Sequence, residues 1–156
     1  MQIGHKAMDG LDGHTAGRQL LADMYWKITG QPLPQIRVTD RGKPYFEGLP
    51  LQFSISHTEN HVFCVLSDKP VGVDAEKTDR QIDLRLADKI LSPAEKIRYD
   101  RAADKQTALL KLWVLKESYA KATGRGWGRY LHETDFDPDD PRVQEMDGCY
   151  VAVIDN

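Results

Sequence analysis

A chain of 156 residues can bury roughly 68–70% of its unfolded surface, enough for a self-sufficient core or two small halves sharing one, without disulfides or a large structural metal. Apolar residues make up 40% and charged residues 29%, the balance of an ordinary soluble globular protein. The net charge of −3 argues against a broad nucleic-acid-binding face, so a polyanionic ligand would have to meet a local basic cluster. Cys64 and Cys149 lie far from any CxxC spacing inside apolar runs. That placement fits buried, reduced core residues and a reducing cytoplasm. Met1 to Gly13 has no apolar signal-like run, and no stretch approaches the ~20 apolar residues of a membrane span. The expectation is a cytoplasmic protein, neither secreted nor membrane-inserted.

Along the chain, Leu20, Leu21, Met24, Tyr25 and Ile28 recur at helical spacing, which predicts a helix over 15–28 with Thr15 as N-cap and Gly30 as its stop. After Pro32 and Pro34 the pattern turns extended: Gln35–Thr39, a turn at Asp40-Arg41-Gly42, then Lys43–Phe46, with Pro44 marking an edge. Gln52–Ser56, Val62–Ser67 and Val71–Lys77 follow, together reading as an antiparallel meander. Helices are expected at Ile82–Leu91 and Pro93–Ala102, the second opened by a Ser92-Pro93-Ala94-Glu95 capping box. The longest helix runs from Asp104 to Thr123 and stops at Gly124, with Ala108, Leu109, Leu112, Trp113 and Tyr119 expected on its inward face. A glycine-rich loop, Gly124 to Arg129, and an acidic one, Asp137 to Pro141, precede a last strand at Tyr150–Asp155. There is no internal repeat, and the pattern is that of an α+β fold of antiparallel strands with helices packed on them.

Two stretches carry chemistry. In Val71-Gly72-Val73-Asp74-Ala75-Glu76-Lys77 the strand period places Asp74 and Glu76 on one face and Val73 and Ala75 on the other. In Trp113-Val114-Leu115-Lys116-Glu117-Ser118-Tyr119-Ala120-Lys121 the i, i+4 relation stacks Trp113, Glu117 and Lys121, with Lys116 turned about 100° away. Taken singly, paired acids on a strand or a Lys-Glu-rich helix face are most often solvated surface. Together they supply three carboxylates and an ammonium, a set suited to a hard divalent cation holding a phosphate.

These two motifs, preceded by Gly42-Lys43-Pro44-Tyr45 and Phe53-Ser54-Ile55-Ser56-His57-Thr58, strongly resemble the 4′-phosphopantetheinyl transferase superfamily in its larger, surfactin-synthetase-activating type. The resemblance spans Gly42 to Lys121 in motif order, with weaker likeness on both sides. It implies a monomer of two pseudo-symmetric halves forming one compact unit: residues 1–70 on the nucleotide side and residues 71–156 on the metal and carrier side.

The implied activity is transfer of the 4′-phosphopantetheine arm of coenzyme A to a serine of an acyl or peptidyl carrier protein, with Mg²⁺ or alternatively Mn²⁺. By the same resemblance Asp74, Glu76 and Glu117 are the metal ligands. Lys121 neutralises a pyrophosphate oxygen, and Glu117 is the candidate base for the serine, directly or through a metal-bound water. Arg18, Gly42, Lys43, Pro44, Ser56 and His57 are expected to line the coenzyme A site. Trp113 reads as core, and Trp127 and Tyr130 as residues able to receive the carrier, beside a basic patch of Lys121, Arg125 and Arg129.

Two departures from the family pattern stand out. Ala75 replaces a larger aliphatic residue, and ahead of the first helix only His5 and Lys6 are basic, where a grip on the 3′-phosphate is expected. The competing readings are a non-catalytic coenzyme A or carrier-binding module of the same fold, and an unrelated Mg²⁺-dependent phosphohydrolase. The phosphohydrolase leaves the Gly42-Lys43-Pro44-Tyr45 and Ser54–His57 runs unexplained.

Overall fold

The computed structural model describes residues 1–126 and 129–155, with backbone only at 129 and 130. Chain order is β1 (Gln2–Ala7), α1 (Gly13–Thr29), β2 (Ile36–Val38), β3 (Pro44–Phe46), β4 (Gln52–His57), β5 (His61–Ser67) and β6 (Val71–Lys77). There follow a 3₁₀ turn at Leu84–Leu86, α2 (Ala87–Ile90), α3 (Pro93–Arg101), α4 (Lys105–Thr123), a 3₁₀ turn at Arg129–His132, β7 (Val143–Met146) and β8 (Cys149–Asp155). The α+β class expected from the sequence holds. The single meander does not: the strands divide into three antiparallel sheets, ordered β1-β5-β4, β2-β3 and β6-β8-β7.

The two three-stranded sheets share one connectivity. Each begins with a strand (β1, β6), passes through a long helix (α1, α4) and ends in a hairpin (β4-β5, β7-β8) whose last strand lies in the middle. Helix α1 covers the first sheet with Ala16, Leu20, Leu21, Met24 and Tyr25 against Phe53, Val62, Cys64 and Leu66. Helix α4 covers the second, its Leu109, Leu112 and Leu115 forming a core with Ile90, Tyr99, Phe136 and Ile154. Between the sheets, Phe63 and Val65 of β5 meet Val71, Val73, Ala75, Cys149 and Val151. Ala75 fits there fully buried.

β6 is an edge strand of its sheet, and it is not hydrogen-bonded to β5 or β4 through a ladder. Instead, the backbone N–H groups of Val73 and Ala75 donate to the hydroxyls of Ser54 (3.1 Å) and Ser56 (3.2 Å) on β4. Side chains of alternate residues thus supply the acceptors that a neighbouring strand would give, satisfying buried donors that would otherwise cost about 1–3 kcal/mol each.

Helix α4 sits against β6 because Gly72 has no side chain. A Cβ there would lie 2.0 Å from the Ser118 carbonyl oxygen and 2.6 Å from the Ala122 nitrogen. The Ser118 hydroxyl pegs the helix into the sheet, donating to Gly72 O (2.7 Å) and accepting from Ile154 N (3.0 Å).

Local signals were mostly kept, with shifts at the ends. Asp12, not Thr15, caps α1, its Oδ1 accepting from Thr15 N at 3.0 Å. The capping box at Ser92 and Glu95 forms as expected, and Asp104 caps α4. The helix expected over 82–91 is a 3₁₀ turn and a four-residue helix, because Asp83 turns back on its own chain to accept from Arg85 N. β1 and β7 were not anticipated from the pattern. Cys64 and Cys149 are free and buried, and burial pushes the Cys64 thiol up to about 12. Among the described residues no helix is long and apolar enough to cross a membrane.

Candidate active site

The site begins at the contact between β6 and α4. Strand alternation sends Asp74 and Glu76 off one face of β6, and helical periodicity brings Glu117 and Lys121 over them. All four line one cleft of about 330 Å³, together with Ser56, His57, Arg80 and Trp113. Asp74 is buried, 6% exposed. Its Oδ1 accepts from the Ser56 hydroxyl (3.0 Å) and from Lys121 Nζ (2.7 Å), while Oδ2 is buried without a hydrogen-bond partner. Lys121 also donates to the Val73 carbonyl at 3.1 Å. Glu117 is pushed up to about 7, first by burial and then by the negative charges of Asp74 and Glu76, with Lys121 and Arg80 opposing. Glu76 is also raised, mainly by burial, against the pull of Arg80.

Among the described residues no three His, Cys, Asp or Glu side chains lie close enough together to hold one ion. The geometry gives the reason: Arg80 binds the Glu76 carboxylate, and Lys121 occupies one oxygen of Asp74. The donor set nonetheless fits a hard divalent cation. A buried carboxylate oxygen lacks a partner, a second carboxylate is pushed up by burial and by its acidic neighbours, and the three acids offer hard oxygen ligands. Asp74 and Glu117, with Glu76 beside them, are the residues able to hold it.

A second cavity of about 330 Å³ shares Ile55, Glu117 and Lys121 with the first. Phe53, Ile55 and Ala120 give it apolar walls, and Gly42, Lys43 and Pro44 close its far side. The β2-β3 turn places Lys43. Gly42 takes φ +85°, a left-handed conformation that suits glycine, and donates to Thr39 O at 2.9 Å. Lys43 Nζ then reaches the Ala122 carbonyl at the C-terminal end of α4 (2.5 Å), where helix carbonyls favour a cation. Burial pulls Lys43 below the usual ammonium range.

The remaining expected residues divide. His57 lines the carboxylate cleft, its ring lying over the start of α1 so closely that a Cβ on Gly13 would come within 2.4 Å of it. Ser56 lines the cleft with its hydroxyl engaged by Asp74 and Ala75. Arg18 lies half-buried on α1 and lines neither cavity. His5 is held elsewhere, its Nδ1 2.6 Å from Asp147 Oδ2, and Lys6 donates to Gln19. Trp127, and the side chains of Arg129 and Tyr130, lie outside the described residues.

Two participants in the cleft, and one buried ion pair behind it, carry no site signal in the sequence. Trp113, read as core, is half-buried and lines the cleft, hydrogen-bonding to Glu76. Arg80 carried no motif signal, because it reaches Glu76 only through the turn closed by Arg80 N donating to Lys77 O (3.0 Å). Glu95, read only as a cap, is fully buried and pairs with the equally buried Lys116 at 2.6 Å. Lys116 also donates to the Leu131 carbonyl and to the Thr134 hydroxyl. Its neighbour Glu117 faces the cleft while Lys116 faces away, as the 100° step of a helix requires.

Comparison with known proteins places the chain in a family. Residues 70–150 match the family model of the 4′-phosphopantetheinyl transferase superfamily. The chain is 35% identical over 92 residues to the 4′-phosphopantetheinyl transferase gsp of Aneurinibacillus migulanus, covering 58% of this chain and 38% of that one. It is 38% identical over 88 residues to the 4′-phosphopantetheinyl transferase Sfp of Bacillus subtilis strain 168, covering 54% and 39%. To the 4′-phosphopantetheinyl transferase AcpT of Escherichia coli K12 it is 34% identical over 114 residues, covering 70% and 56%. The matched stretches thus span roughly two fifths to little more than half of these relatives' own lengths. The family model covers both β6, with its acids, and α4, with Glu117 and Lys121, and so takes in the elements that build the cleft. The chain belongs to the 4′-phosphopantetheinyl transferase superfamily.

Proposed function

We propose that this chain transfers the 4′-phosphopantetheine group of coenzyme A to a serine of an acyl or peptidyl carrier protein, with Mg²⁺ as its metal. The observation that carries this reading is the meeting of Asp74, Glu76, Glu117 and Lys121 in one cleft that shares its wall with the Lys43 cavity. A cleft with three carboxylates beside a largely apolar cavity lined by Lys43 and Lys121 suits a pyrophosphate with an organic group on each side.

A divalent ion bound by Asp74 and Glu117, with Glu76 in reach, would supply charge neutralisation for the pyrophosphate. Lys121 adds a second positive charge from the helix side. Glu117 is the residue placed to take the proton from the serine Oγ, directly or through a metal-bound water. The serine oxygen forms a bond to the phosphorus next to pantetheine as the bridging P–O bond to the adenylate side breaks. The electron pair leaves with 3′,5′-adenosine bisphosphate, and the serine proton goes to a Glu117 Oε atom. Lys43, on the Gly42-Lys43-Pro44 turn, holds the nucleotide end, and His57, lining the cleft, belongs to the coenzyme A lining and can donate to a phosphate. Arg18 belongs to the same nucleotide set by resemblance, although it lines neither cavity. Residues 1–70 and 71–156 each contribute one wall, which supports a monomer as the active unit.

Purified protein given Mg²⁺, coenzyme A and an apo carrier protein should add the mass of phosphopantetheine to the carrier serine. Glu117→Gln and Asp74→Asn should each lower that rate by roughly 10²–10⁴-fold while leaving the circular dichroism spectrum unchanged. Wild-type rates in either variant, or no mass shift with any of several carriers, would overturn the reading.

A further inference from the structure

Two acids of the cleft already have a cationic partner: Lys121 takes one oxygen of Asp74 and leaves the other without one, and Arg80 binds Glu76. The turn over 77–80 folds Arg80 back onto β6, where its guanidinium binds the Glu76 carboxylate. The same guanidinium lies 5.8 Å from the centroid of the Trp113 ring, a cation–π distance. The Trp113 side chain in turn hydrogen-bonds to Glu76. Arg80, Glu76 and Trp113 therefore form a closed triangle on one wall of the cleft. In the same cleft, Asp74 Oδ2 is buried with no partner. One carboxylate oxygen is open to a cation, and another carboxylate is already held by one.

From this arrangement we infer that Arg80 competes with the divalent cation for Glu76, and so sets how tightly this cleft binds its metal. With the guanidinium on Glu76, a cation entering beside Asp74 and Glu117 meets two carboxylates and two nearby positive charges, Arg80 and Lys121. To recruit Glu76 as a third ligand it must displace Arg80, which the Trp113 face is placed to receive. The inference rests on the metal reading of the site given above and adds to it a residue that weakens binding. A partly exposed ion pair such as Arg80–Glu76 is worth on the order of 1 kcal/mol, which converts to an effect of roughly 3- to 10-fold on the dissociation constant.

Mn²⁺ serves as the probe, with free ion followed by electron paramagnetic resonance and binding by calorimetry, on the whole chain without coenzyme A or carrier. Arg80→Ala and Arg80→Gln should each bind Mn²⁺ roughly 3- to 10-fold more tightly than the wild type. Arg80→Lys, which keeps the charge but loses the planar fork, should fall between. Glu76→Gln should cost more affinity in the Arg80→Gln background than in the wild type, because only there is Glu76 free to act as a ligand. Unchanged or weaker binding in both Arg80→Ala and Arg80→Gln, with binding still abolished by Asp74→Asn, would overturn the competition alone. No Mn²⁺ binding by any variant would overturn the metal site itself and this inference with it.

Discussion

The two sides of α4 answer the same problem, charge in a buried place, in opposite ways. On the side facing α3, Lys116 meets Glu95 at 2.6 Å with both side chains 0% exposed. The remaining valences are taken up: Lys116 donates to Leu131 and Thr134, and Glu95 accepts from Ser92 N and Phe136 N. On the side facing β6, one turn away, Lys121 meets Asp74 at 2.7 Å, but Asp74 keeps an oxygen without a partner. Glu117 meanwhile sits among like charges. The closed side spends its polar groups on one arrangement. The open side holds them unsatisfied, the condition in which a ligand supplies what is missing.

The sharpest way to break the closed side is to strand one of its charges. Lys116→Met should destabilise the fold by about 3–5 kcal/mol, because Glu95 would be left buried and unpaired. For a chain of this size that lowers the melting temperature by on the order of 10 °C. Adding Glu95→Gln should recover part of the loss, since the amide still accepts from Phe136 N without carrying a charge. A melting temperature unchanged in Lys116→Met would mean that the pair contributes nothing. Gly72→Ala tests how the two sides are held against the sheet. Its methyl would meet backbone atoms of Ser118 and Ala122, which cannot rotate away. The expected cost is roughly 1–3 kcal/mol, with transfer lowered as well because Glu117 and Lys121 ride on the displaced helix. Denaturant unfolding and the carrier mass assay read the two effects separately.

The smallest effect reads the open side directly. In the folded chain without metal, burial and its acidic neighbours push Glu117 up to about 7 from the ordinary glutamate value of about 4.5, so between those values the folded state binds more protons than the unfolded one. Stability then falls as pH rises through that window. In chelator, the melting temperature of Glu117→Gln should depend less on pH between about 4.5 and about 7 than that of the wild type. Equal slopes would remove Glu117 from the account.

How much of this was legible in the sequence depends on how local each signal is. Helices α3 and α4 declare themselves through capping residues a few positions from the turns that they close, and Asp74, Glu76, Glu117 and Lys121 through strand and helix periodicity. β1 and β7 do not, because they are edge strands with few buried residues. β1 alternates around Gly4 with little apolar content, and β7 is Val143-Gln144-Glu145-Met146; each owes its conformation to the partner beside it. The Glu95–Lys116 pair joins residues 21 positions apart across two helices, and nothing at either position announces the other. Glu95 had a sufficient local explanation as a cap, which hid its second role. Arg80 lies close in sequence to Glu76, but only the geometry of an intervening turn brings them together.

The two serine hydroxyls that answer β6 from β4 also bear on solubility. β6 carries Val71, Val73 and Ala75 along the free edge of its sheet, and such an edge is a template onto which another chain can add a strand. Ser54 and Ser56 cap its donors with side chains that cannot propagate a ladder, so the edge is hidden without being extended. Asp74 thus sits on the strand most in need of cover, and opening the seam would expose the protein to self-association as well as dismantle the cleft.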